Sequence, residues 1–205
     1  MVELMTEKWI DRNLQILIMN RRYNHDWPNL LTFLNPTNQV YDKLDSGEEE
    51  DLNEIIQLMC SHAKLSPVPT GIYDWGIKME LEVAGQINLE KHKIRVPFQF
   101  VGKKYALGTI LAHEVAHLYL FKRLLILNNQ LENEMLADLT SIFLGFGKFV
   151  LNGIMTSDTL PENFKLGYLS PALVIYGYRS ICKLLHTEDP YEFLIPTAVD
   201  RLQYA

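Results

Sequence analysis

Apolar residues along this chain change their period twice. Leu4, Trp9, Leu14, Leu17 and Ile18 recur at broadly helical spacing over residues 4–19, which predicts an amphipathic helix. Leu52, Ile55, Ile56, Leu58 and Met59 repeat that spacing behind Glu48-Glu49-Glu50-Asp51, acids suited to the positive end of a helix, and Ser66-Pro67-Val68-Pro69 stops it. Asp26-Trp27-Pro28-Asn29 and Asn35-Pro36-Thr37-Asn38 carry turn chemistry. Beyond Pro69, polar and apolar positions alternate. The alternation runs over residues 78–83, resumes after Gly85 in Gln86-Ile87-Asn88-Leu89, and returns past the turn Glu90-Lys91-His92 in Lys93-Ile94-Arg95-Val96. It predicts half-buried strands in a β-hairpin or short meander, with Pro97 favouring an edge strand.

From Tyr105 the period is helical again. One helix is expected over about residues 105–127, a break at Asn128-Asn129, and a second helix over about 132–151. A loop passes Asp158, Pro161 and Gly167, and Ser170-Pro171 then supplies an N-cap and a first-turn proline for a helix to about residue 185. Strands followed by helices predict an α+β fold, mostly helical, with a small antiparallel hairpin or meander before the first long helix. Residues 1–70 are expected as a helical N-terminal extension packed on a core of residues 71–205, the whole forming one compact unit.

Composition narrows the class. With 205 residues, 48% apolar and 21% charged, the chain can bury a core without disulfide staples. The net charge of −6 resides entirely in residues 1–62, which carry 5 basic and 11 acidic groups. No basic stripe faces phosphates, so a nucleic-acid partner is not expected, and an anionic membrane surface is an equally poor one. The four-acid run reads as a solvated helix turn, with a docking patch for a protein partner as the alternative. Residues 135–155 have bilayer-spanning length, but Asp138, Lys148, Asn152 and three glycines interrupt them, so a buried core helix is expected. Cys60 and Cys182 are far apart and in no CxxC pair, and the start of the chain carries acids where an export signal carries bases. The expectation is a cytoplasmic protein.

The chemistry concentrates in His113-Glu114-Val115-Ala116-His117, an HExxH pattern inside an apolar helical stretch. Residues i and i+4 share a helix face, so both imidazoles can reach one ion, while Glu114 points to a neighbouring strip and can take a proton from a metal-bound water. Burying these side chains without partners would be expensive, and a metal removes that cost. Leu120 and Arg123 stand where the HExxHxxGxxH pattern needs glycine and histidine. The third ligand is therefore sought downstream, in Asn133-Glu134-Met135-Leu136-Ala137-Asp138. Glu134 and Asp138 share a face, and the short break would fold their helix back antiparallel against the first. Glu134 is the expected third ligand, with Glu132 as fallback, and Asp138 is expected to accept the free ring N–H of His113 or His117.

HExxH followed by NExxAD resembles the gluzincin metallopeptidases, whose thermolysin-like members carry an NExxSD-type second motif; alanine replaces the serine here. The resemblance covers about residues 85–150 and is closest to the compact single-domain members, including the ImmA/IrrE-like peptidases, which place a strand or hairpin before the HExxH helix. It implies a zincin-like domain with one Zn2+ held by His113, His117 and Glu134, and Glu114 as general base. The implied activity is that of a zinc-dependent metalloendopeptidase hydrolysing a peptide or protein substrate through a zinc-bound water. Tyr168 and Tyr176 are candidate oxyanion stabilisers, while Tyr178 reads as core. A peptide is expected to add as a strand beside residues 85–89 or 93–98, unless the N-terminal segment covers that edge. The alternative function is a catalytically inactive zincin-like metal-binding protein that serves interaction or regulation.

Overall fold

The computed structural model describes residues 6–23, 32–74, 85–156, 166–186 and 190–204. Three helices come first: α1 (Glu7–Tyr23), α2 (Asn38–Ser46) and α3 (Glu49–His62). A small sheet follows, made of β1 (Thr70–Asp74), β2 (Gln86–Asn88) and β3 (Lys93–Pro97). The remainder is helical: α4 (Lys104–Lys122), α5 (Gln130–Ser141), α6 (Gly147–Met155), α7 (Pro171–Leu185) and α8 (Pro196–Tyr204). The expected α+β, mostly helical class is what the chain adopts. The strand expected over residues 78–83 lies outside the described residues.

Sheet order is β1-β3-β2, with β1 parallel and β2 antiparallel to β3. The hairpin is therefore present, but β3 is the central strand rather than an edge. Pro97 is tolerated because it is the last residue of β3, where a missing N–H interrupts no interior pairing. The edge on β1 is closed by side chains of α3. Asn53 offers its Oδ1 to the Gly71 N–H (2.8 Å) and its Nδ2 to the Gly71 carbonyl (3.1 Å), while Glu49 Oε1 accepts from the Tyr73 N–H at 3.1 Å. The N-terminal segment thus covers β1, and the outer side of β2 faces the cleft described below.

Helix α4 is buried on nearly every face from Ala106 to Leu120, the signature of a central helix. It packs against α2, α3, α5, α6 and β2. Ile10, Leu14 and Leu17 of α1, Leu44 of α2, and Leu52, Ile55, Ile56 and Met59 of α3 join the same apolar cluster as α4 to α7. Ser170 caps α7 as its sequence predicts, accepting from the Leu173 N–H.

The helix expected over 132–151 is in fact two. A π-helical turn at Ile142–Phe146 contains Gly145 with φ of 92°, so α6 leaves on a new course. The Gly145 carbonyl accepts from the Leu34 N–H at 3.0 Å, and a Cβ at this position would lie 2.2 Å from the Thr32 carbonyl oxygen. Only glycine fits. Among the described residues no helix is long and apolar enough to cross a membrane.

Candidate metal centre

His113 and His117 lie one turn apart on α4, with their Nε2 atoms 3.0 Å apart and their rings nearly perpendicular at 81°. Helix α5 runs back along α4, placing Glu134 opposite His117 and Asp138 opposite His113. The Glu134 Oε2 atom is 3.1 Å from His113 Nε2 and 3.2 Å from His117 Nε2. Three potential ligand atoms thus form a nearly equilateral triangle. Four ligands at ~2.0–2.1 Å from one ion would stand roughly 3.3 Å apart, so the triangle is close to one face of such a tetrahedron. His113, His117 and Glu134 are close enough to hold a metal ion, as their sequence spacing leads one to expect.

The carboxylates set the protonation of the His113 ring. Asp138 Oδ1 lies 2.7 Å from His113 Nδ1, so that ring nitrogen carries the donated proton. In the neutral tautomer His113 Nε2 is then a lone pair, aimed at a carboxylate oxygen that is also an acceptor. Burial opposes charge on His113, but the hydrogen bonds to Asp138 and Glu134 outweigh it and push its pKa up to about 10. Burial likewise opposes ionisation of Glu134, yet His113 and His117 pull its carboxyl down to about 2. The cluster therefore favours positive charge, which either a proton on His113 or a bound metal ion would supply.

Asp138 does more than orient one imidazole. Its Oδ2 accepts the backbone N–H of Tyr168 and of Leu169 (2.8 Å), which ties the loop before α7 to the centre. Gly167 opens this loop with φ of 76°, and a Cβ on it would lie 3.0 Å from Asp138 Oδ2. The loop stacks the Tyr168 ring against His113, with centroids 6.0 Å apart. Glu114 occupies the other flank. It is 4% exposed, takes a hydrogen bond from the Ile87 backbone of β2, and sits beside Gly85, where a Cβ would lie 3.0 Å from its Oε1. Burial raises its pKa, and the neighbouring histidines offset part of that rise.

These groups line a cleft of about 540 Å³. One wall is the edge of β2, another is the loop at 166–168, and a third is the α4–α5 turn with the first turns of α5. Of the residues named from sequence, Glu114, His113, His117, Glu134, Asp138 and Tyr168 all line it. Tyr176 does not: its hydroxyl donates to both carboxylate oxygens of Asp11 at 3.0 Å, which binds α7 to α1. Glu132 is outside the ligand group. Tyr178 is fully buried, as its face predicts. Residues 93–98 offer no open edge over β3, since β3 is paired on both sides, and the outward N–H of Ile87 in β2 is engaged by Glu114.

Sequence reasoning assigned no role to Asn133. Its side chain accepts from the Leu127 N–H and donates to the Leu127 carbonyl, both at 2.6 Å, as a neighbouring strand would. That clamp fixes the α4–α5 turn directly beside Glu134. Its signal was its position, immediately before the expected ligand. No protein-family model, curated protein or solved structure matches the chain.

Proposed function

We propose that this chain is a zinc-dependent metalloendopeptidase of the gluzincin type, acting on peptide or protein substrates. The observation that carries this reading is the convergence of His113 Nε2, His117 Nε2 and Glu134 Oε2 within 3.0–3.2 Å of one another on the floor of a cleft that also holds a buried glutamate. Two imidazoles and one carboxylate are the donor set of catalytic zinc sites that keep a further position open. When bound, zinc supplies Lewis acidity, polarising a carbonyl and lowering the pKa of water toward ~7.

The protein's own side chains do the remainder. By accepting the Nδ1–H hydrogen bond, Asp138 would leave the His113 Nε2 lone pair free to ligate zinc, and it keeps the ring from rotating. Glu114, anchored to the edge of β2, takes a proton from water and returns it to the leaving amine. The walls of the cleft are mostly apolar, which lowers the local polarity around these groups and strengthens their interactions. Tyr168 is the better placed of the two tyrosines to meet a developing oxyanion, because it lines the cleft. The thiols Cys60 and Cys182 are free, which supports a reducing compartment for the enzyme.

Glu114→Gln keeps the size of the side chain and removes the base. Hydrolysis of unfolded casein, followed by mass spectrometry, is expected to fall by roughly 10²–10⁴-fold with zinc content unchanged. Undiminished hydrolysis by that variant, or a zinc-loaded wild type that cleaves nothing, overturns the reading.

A further inference from the structure

Among the described residues eleven large apolar side chains are exposed, and four of them, Phe121, Leu124, Ile126 and Leu131, fall within residues 121–131. This stretch is the end of α4, the turn after it and the start of α5. Phe121 and Ile126 also line the cleft, so the exposed group reaches the proposed active site, with Leu124 and Leu131 just outside the lining. Scattered exposed leucines need no explanation; a group continuous with a cleft does.

The turn is not exposed because it is loose. The Leu125 N–H closes the end of α4 on the Leu120 carbonyl at 3.0 Å, Asn133 clamps both backbone groups of Leu127, and Asn129 caps α5. At its tip stands Leu124, 85% exposed with φ of 54°. The left-handed helix-ending position is one that glycine fills without strain and that L-residues adopt at a cost. A leucine here shares this backbone conformation with Lys64, His92, His186 and Phe193, and it hides little of its side chain from water. Backbone strain of this kind is concentrated at functional surfaces. A rigid, strained, apolar tip beside a cleft is preorganised to bind, since little motion is lost when a ligand meets it.

We infer that the α4–α5 turn, through Leu124 with Phe121 and Ile126, is a recognition surface for an apolar stretch of the substrate polypeptide lying outside the cleft. The inference rests on the peptidase reading. The occupant is the substrate chain because the patch continues the cleft wall, so a polypeptide held across the metal centre meets it on leaving. Such a surface favours unfolded or apolar-rich segments over polar linkers. It supplies affinity at a distance from the bond that breaks.

The test uses zinc-loaded enzyme and two quenched fluorescent peptides built around one bond cleaved in unfolded casein, one with leucines and the other with serines in both flanks. The leucine-flanked peptide is expected to have roughly tenfold higher kcat/KM, carried by KM. Leu124→Gly relieves the strained backbone, so it is expected to fold at least as well as wild type, and it should erase that preference while leaving the serine-flanked peptide unaffected. Leu124→Asn, which also tolerates the conformation, serves as the second variant. The inference is overturned if either folded variant keeps the full preference, or loses activity equally on both peptides. It is also overturned if Leu124 instead governs sedimentation with phosphatidylcholine vesicles or a doubling of molecular mass. Absence of any cleavage removes the peptidase reading and this inference together; cleavage without a flank preference removes only the inference.

Discussion

On α3, Glu49, Glu50, Asp51 and Glu54 stand along the start of a helix in contact with water, and Lys43 bridges Asp51 and Glu54 at 3.0 and 2.5 Å. On α4 and α5, Glu114, Glu134 and Asp138 occupy helix faces too, but those faces are turned toward one another across a cleft. The residue types are the same and the consequences differ. Solvent screens the first group, so its ion pairs contribute little beyond a favourable helix dipole and the single bond from Glu49 to β1. The second group is partly or fully buried, so its hydrogen bonds go to protein partners rather than to bulk water. Glu134 meets two imidazoles, Asp138 divides its two oxygens between a ring and a loop, and Glu114 is held by a strand. Convergence under burial, rather than the number of acids, makes carboxylates into a site.

Substitutions can sharpen that contrast. The largest of these effects is expected at Asp138→Asn, which weakens the hold on both His113 and the Tyr168–Leu169 backbone. Zinc affinity measured by competition with a chelator should drop by roughly 10–100-fold; an unchanged affinity would reduce Asp138 to a loop anchor. A smaller effect is expected for Gly167→Ala, because the added methyl would crowd Asp138 Oδ2 at a positive φ. The denaturant midpoint should report a loss of about 1–2 kcal/mol, and weaker zinc retention should accompany it. Smallest of all is Lys43→Ala on the solvated side: zinc content and turnover should match wild type, and the melting temperature should barely move. A clear loss of zinc in that variant would mean that the two acidic regions are coupled, contrary to the comparison.

Much of this centre was legible from residue spacing, because its logic is local. An i, i+4 histidine pair on one helix and a Glu–Asp pair on the next need only a short connection to meet, and that connection was visible at Asn128-Asn129. The hairpin of β2 and β3 and the Ser170-Pro171 start of α7 were equally local. What escaped depended on partners far along the chain. Tyr176 stands on a polar face, which suggests availability, yet Asp11 of α1 takes its hydroxyl. β1 is a five-residue strand containing a glycine, and its place follows from parallel pairing with β3 and from the Asn53 bracket on α3. The nine-residue helices α2 and α8 carry too few turns for an apolar stripe to stand out. Gly145 sits within a continuous apolar period, so the π turn there leaves no mark in the pattern. The double use of Asp138 could not be read either, since it requires knowing where the loop before α7 returns.

The most direct measurement is metal content by mass spectrometry of the native protein after incubation with zinc and dialysis, made in parallel on wild type and Glu134→Ala. One zinc ion per wild-type chain is expected, with little or none in the variant while its circular dichroism stays that of a folded helical protein. Zinc absent from folded wild type, or retained in full by Glu134→Ala, would contradict the proposal that His113, His117 and Glu134 together hold the ion.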